Sequence, residues 1–119
     1  MIFDLIKKRR SVFPAQYNSK PITKATIEKI LEAANWAPNH RKTEPWRFKV
    51  LQGESQAKLG LFLSLKYLEH EPNPKEFKVK KLIENPKKAG AIIAICMQRD
   101  PAESLPEWEE IAATAMAVQ

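Results

Sequence analysis

The sequence predicts a small protein that mixes helices with strands, and three observations predict it. Apolar residues recur at helical spacing in five stretches, several of which open on a serine, threonine or asparagine that suits a helix cap. Two short runs, "WRFKVL" (46–51) and the stretch 90–97, have strand composition and strand length. The chain has 119 residues, 44% of them hydrophobic and 29% charged, which is enough for one core and too little for two independent domains. One domain over residues 1–119 is therefore expected.

The elements follow in chain order. Residues 2–9 read as a short helix with Ile2, Leu5 and Ile6 on one side, and a basic end that suits the helix C-terminal dipole. After the loop "SVFPAQYNSKP", Thr23 is a good N-cap, and Ile22 and Ile27 have the spacing of a hydrophobic staple. Ile27, Ile30, Leu31 and Ala34 then recur at helical spacing, and Pro38 requires the helix to stop near Ala37. In 46–51, Trp46, Phe48 and Val50 alternate with Arg47 and Lys49, the pattern of a half-buried strand. Gly53 breaks that strand. The next segment is ambiguous, since Leu59, Leu61, Leu63 and Leu65 alternate as in a strand while Ala57, Leu61, Leu65 and Leu68 share a helix face. Its length and its start at Glu54-Ser55 select helix.

A further helix is expected with Asn73 as cap, Pro74 in the first helical position and Glu76 completing a capping box. Residues 90–97 read as a fully buried strand. Ser104 and Glu107 form a second capping box, opening a helix with Trp108, Ile111, Ala112, Ala115 and Met116 inward. That helix ends on "ATAMAVQ" without a glycine, a basic last turn or a proline. We therefore expect the chain to be the front part of something longer, cut within this helix.

Composition excludes several classes. The longest apolar run, 89–97, is too short to span a bilayer, and the first ten residues place charge after the apolar positions, unlike a signal peptide. One cysteine, Cys96, rules out a disulfide framework within the chain and reads as a small buried hydrophobe. A cytoplasmic location fits. The net charge of +6 is dispersed among acidic residues, the ordinary pattern of a solvated surface. His40 and His70 are the only histidines and do not make a ligand pair, so no metal site is expected. There is no G-x-S-x-G, no Walker loop and no G-x-G-x-x-G.

Two segments have the chemistry for a site. In "KKRRS" (7–11), arginine followed by serine suits a phosphate clamp, because guanidinium makes paired charge-assisted bonds and the hydroxyl adds a donor. A plain solvated helix end is the bland reading of the same residues, and a nucleic-acid patch a third one. In "WAPNHRKTEPWRF" (36–48), Trp36, Asn39 and His40 stand at the edge of a proline turn between helix and strand. Aromatic, imidazole and amide groups there suit a flat ring with polar edges. Trp36 and Trp46 also read as packing anchors for the corner, Trp46 especially.

Taken together, these two segments resemble the nitroreductase family of flavoproteins, in particular its compact branch. Arg9, Arg10 and Ser11 match an R-R/H-S near the N-terminus, and Ala37, Pro38, Glu44, Pro45, Trp46, Arg47 and Phe48 match an A-P…Q/E-P-W-R/H-F about thirty residues later. The resemblance extends more weakly to "PEWEEIAATAMAVQ", which is similar to the start of the family's dimer-core helix, so that the chain covers about the first two-thirds of a usual member. It implies an α+β fold with a sheet flanked by helices, and FMN held without a covalent bond at a homodimer interface. It also implies electrons passed from NAD(P)H through the flavin to an electron-poor small molecule such as a nitroaromatic or quinone. Nucleic acid and membrane have no part in that scheme, and no side chain need act as nucleophile.

Carried over, Arg9, Arg10 and Ser11 would hold the phosphate end of FMN. Trp36, Asn39 and His40 would lie against the flavin ring of the other subunit, while Trp46 and Phe48 would pack the strand. Three positions depart from the family pattern. Phe13 stands where many members have a cation near the flavin N1, Lys42 where many have Asn, and Glu44 where many have Gln. A family member that binds flavin without robust reductase activity is the alternative reading, and a basic nucleic-acid module a third.

Overall fold

Each expected element forms, with bounds set by local chemistry. The computed structural model describes residues 1–119 and contains five α-helices and two strands, an α+β fold. The helices are α1 (Ile2–Lys8), α2 (Lys24–Ala34), α3 (Glu54–His70), α4 (Glu76–Lys88) and α5 (Glu107–Val118); the strands are β1 (Trp46–Leu51) and β2 (Ile92–Met97). The chain divides into two compact units, one of residues 1–20 and 54–90, the other of residues 21–53 and 91–119.

In the first unit, α1 exposes every side chain. A 3-10 turn at Pro14–Gln16 packs on α4. The unit is held by α3 against α4, and the contact face is not the leucine face that the periodicity predicts. Gln56, Gly60 and Ser64 are buried, while Leu61, Leu65 and Leu68 are exposed. Small residues win this face because the two backbones come very close. A Cβ on Gly60 would lie 2.8 Å from the Ile83 carbonyl oxygen and 3.0 Å from that of Leu82. Gln56 Nε2 then donates to the carbonyls of Pro86 and Ala89, at 2.7 and 2.8 Å, closing the end of α4.

The start of α4 also differs from expectation. Asn73 does not cap it and Pro74 lies outside it; the N-cap is Lys75. Glu71 and Tyr67 take the backbone donors of this turn instead, Glu71 Oε1 accepting from Asn73 N and Tyr67 Oη from Lys75 N. A side chain from the preceding helix thus displaces the local cap.

In the second unit, Thr23 caps α2 as expected, its Oγ1 accepting from Thr26 N at 3.2 Å. Strands β1 and β2 pair antiparallel, Trp46 opposite Met97 and Leu51 opposite Ile92. Gln98 N donates to Pro45 O at 2.7 Å and carries the ladder one step further. β2 is half-buried, with Ile95 exposed, and not the fully buried strand expected; a two-stranded sheet leaves it one open side. Val50 of β1 is exposed as well.

The core of this unit joins Trp46, Ala113 and Ala117, with Ala34, Ala37 and Phe48 packed against them. Helix α5 is therefore rolled from the expected face. Trp108, Ile111 and Met116 are exposed, and Glu110, Ala113, Thr114 and Ala117 point inward. Glu110 is 1% exposed, and its carboxylate accepts from Arg99 Nη1 at 2.7 Å and from Asp100 N at 3.0 Å. A buried carboxylate with two donors is satisfied, so this face closes despite its charge. Ser104 does not cap α5. Its hydroxyl donates to Asp100 Oδ2, and Pro106 occupies the N-cap position.

Candidate ring-binding grooves and a basic helix end

The loop between α2 and β1 is built by a proline and three left-handed residues. Trp36 N and Ala37 N extend α2 by bonding to Ala33 O and Ala34 O, and Pro38 stops the run. Arg41, Lys42 and Glu44 then adopt φ values of 55, 53 and 43°, a region that costs roughly 1–2 kcal/mol for a residue with a Cβ. Side-chain bonds brace the loop on either side of Glu44. Asn39 Oδ1 accepts from Glu44 N at 2.9 Å, and Asn39 Nδ2 donates to Ala37 O at 3.4 Å. Arg47 Nη1 donates to Glu44 O and Trp46 O, both at 2.7 Å.

The two tryptophans of this stretch part company. Trp46 is 4% exposed, and its indole N–H donates to Asn35 Oδ1 at 3.0 Å, so it is an anchor of the core. Trp36 is 83% exposed and rims an open groove of about 370 Å³ between α2 and the end of α5. A second groove, about 400 Å³, runs along α5 and is edged by Asn39, His40, Trp108 and Glu109 over a floor that includes Ala112 and Met116. Met116 borders both grooves. His40 Nδ1 lies 2.8 Å from Glu109 Oε2 and ties the loop to α5. This arrangement, apolar walls with polar groups at one edge, suits a flat heterocycle.

Arg9, Arg10 and Ser11 belong to the other unit, directly after α1, and all three are exposed. Arg10 Nη1 donates at 2.7 Å to the carbonyls of Lys7 and Arg9, placing its charge at the negative end of the helix. Arg9 and Ser11 carry the donors suited to a phosphate. Among the ionisable ligand types, no three His, Cys, Asp or Glu residues gather as a metal would need. No helix is long and apolar enough to cross a membrane.

Trp108 and Glu109 are the groove residues that sequence reasoning missed. Helical periodicity placed Trp108 inward, yet it is 67% exposed. Glu109 carries no signal in the sequence, since its partner lies 69 residues away.

Three comparisons bear on these features. The profile of the nitroreductase family matches residues 6–119. The protein named "Putative NAD(P)H nitroreductase YfhC" of Bacillus subtilis is 30% identical over 117 residues, which is 98% of this chain and 59% of that protein. The nitrobenzene nitroreductase of Ectopseudomonas oleovorans is 34% identical over 58 residues, 49% of this chain and 25% of that one. Among solved structures, a nitroreductase-like family protein from Bacillus cereus superposes with a TM-score of 0.77 at 30% identity, covering all of this chain and 60% of its own. The chain thus spans about three-fifths of the Bacillus subtilis and Bacillus cereus proteins.

Proposed function

The chain belongs to the nitroreductase family, and from that premise we propose that it is part of an FMN-dependent oxidoreductase. It would pass electrons from NAD(P)H to an electron-poor small molecule such as a nitroaromatic or quinone. The observation that carries the proposal is the split within the stretch 36–48. Trp46 and Phe48 pack the core, while Trp36, Asn39 and His40 stand at the rims of open grooves. A loop used only for packing has no need to hold a large indole in water.

The residues present fit the cofactor on their donor chemistry. Arg9 and Ser11, with Arg10 alongside, supply cationic and hydroxyl donors for a phosphate, and Trp36 and His40 supply flat faces for a heterocycle. When bound, FMN supplies the hydride and electron chemistry, and the protein positions and tunes it. Trp36, Asn39 and His40 are assigned to the ring bound by a second copy of the chain, which makes a homodimer part of the proposal. Phe13, exposed after the basic segment, stands at the sequence position where many family members carry a cation, which would favour the anionic reduced flavin. A cytoplasmic enzyme fits this chemistry.

The test is to purify the protein, record flavin absorbance, and follow its bleaching on addition of NAD(P)H. Bound flavin that bleaches supports the proposal. Bound flavin that does not bleach supports a flavin-binding role without reductase activity, and colourless protein carrying nucleic acid refutes both. Arg9→Ala should weaken FMN binding more than Lys7→Ala or Lys8→Ala, because guanidinium–phosphate bonds are worth roughly 1.5–3 kcal/mol each. Equal losses from all three would point to a diffuse basic patch.

A further inference from the structure

The bond between His40 and Glu109 decides more than the position of a loop. An ionised carboxylate has acceptors only, so the hydrogen in the 2.8 Å contact between Nδ1 and Oε2 belongs to the imidazole. A neutral imidazole carries a single N–H. With that hydrogen held at Nδ1, Nε2 retains a lone pair and is the ring nitrogen left for a ligand. Without a partner, an imidazole in water favours the opposite tautomer, with hydrogen on Nε2. The side chain of Glu109 is 26% exposed against 58% for His40, so the carboxylate is the fixed member and the ring the one at the rim. Of the other two carboxylates of α5, Glu110 is turned inward onto Arg99 and Asp100 N, and the exposed Glu107 makes no ion pair with His40, which is paired with Glu109. On its own loop, the side chains of the exposed Arg41 and Lys42 offer no acceptor, and the exposed Glu44 makes no ion pair with His40.

We infer that Glu109 is a positioning residue that fixes His40 as its Nδ1–H tautomer, so that the groove along α5 offers a lone pair to a flat ligand bearing a ring N–H or O–H. The identity of that ligand rests on the proposed flavin chemistry; the tautomer does not. Two sources share the required donor: the imide N–H of the flavin ring, and the hydroxyl of a reduced quinone. A ligand presenting only acceptor oxygens gains no bond from this edge while the ring is neutral.

The experiment begins with long-range nitrogen–proton NMR of the labelled 119-residue chain, without added flavin, at alkaline pH where an imidazole is neutral. His70→Gln removes the other histidine signal and assigns His40. Wild type should show hydrogen on Nδ1, and E109A should move toward the Nε2–H form; a wild-type ring protonated on Nε2, or a tautomer indifferent to E109A, overturns the inference. The exposed pair contributes little to folding, so E109A should remain folded by circular dichroism. In the second stage, binding of FMN is compared with its N3-methyl analogue, and hydroquinone with its dimethyl ether. Loss of one hydrogen bond predicts a roughly three- to tenfold preference for the donor-bearing member in wild type, lost in E109A. A preference in the first pair assigns the flavin imide, and in the second the reduced acceptor. The inferred tautomer with no preference in either pair overturns the lone-pair role. Failure to bind flavin at all refutes the proposed cofactor, and the NMR result and the hydroquinone pair then decide the role of Glu109.

Discussion

Gly60→Ala sets two effects of known size against each other. In the middle of α3, alanine is the better helix former by roughly 0.5–1 kcal/mol. The added methyl, however, would sit 2.8 Å from Ile83 O, 3.0 Å from Leu82 O and 3.2 Å from Ile83 Cα. All three are backbone atoms of α4, so no side-chain rotation relieves the overlap and the helices must separate by several tenths of an ångström. Overpacking of this kind costs roughly 1–3 kcal/mol. Separation would also lengthen the bonds from Gln56 Nε2 to Pro86 O and Ala89 O on the same face. The clash outweighs the propensity, and the net loss should be about 1 kcal/mol, or a fall in melting temperature of roughly 4 °C for a chain of this size. Thermal melts followed by circular dichroism measure it. Gly53→Ala is the control, since nothing lies within 4 Å of a Cβ there and its φ is +61°. Gly53→Asn should lose less than Gly53→Ala, because asparagine tolerates the left-handed region, whereas no rescue by Asn is expected at Gly60. A Gly60→Ala protein as stable as wild type would refute the close approach of α3 and α4.

Three further outcomes are expected. Glu110→Ala should cost about 3 kcal/mol in urea unfolding, because it strips Arg99 and Asp100 N of their buried acceptor; in the background of Arg99→Ala the loss should shrink, and strict additivity would show that the two do not interact. Asn39→Ala should cost about 1–2 kcal/mol and speed hydrogen exchange of the Glu44 amide, and unchanged exchange at that amide would show that the loop does not need its brace. Trp46→Ala should cost roughly 3–5 kcal/mol while Trp36→Ala stays within about 0.5 kcal/mol, and similar losses from the two would refute their division into anchor and exposed ring.

The candidate site was legible in part. The stretch 36–48 declares itself by composition, and the different burial of Trp46 follows from its alternation with Phe48 on β1. The bracing role of Asn39 and the tie from His40 to Glu109 were not legible, because each depends on a backbone turn or on a distant residue. The Phe13, Lys42 and Glu44 departures gain a partial physical setting. Lys42 and Glu44 both sit at left-handed positions, where Asn would be the easier residue at the first.

The sequence by itself determined where the elements lie. Thr23 caps α2 because a threonine hydroxyl three residues before a backbone N–H needs nothing from elsewhere. β1 occupies the residues that its alternation marks, and the ambiguous leucine segment is helical, as its length and start signal require. The tertiary structure alone decided which faces are buried and which caps are used. Periodicity assigns the core to the most apolar face, and that rule fails where two backbones approach within reach of each other, as at Gly60, or where a buried charge finds its donors, as at Glu110. Likewise Asn73 and Ser104 have the spacing of caps, yet the N-cap positions fall to Lys75 and Pro106, with Tyr67 accepting from Lys75 N and the Ser104 hydroxyl turned to Asp100. Local signals are decided within one turn of chain; faces and caps are settled by partners that only the folded chain brings near.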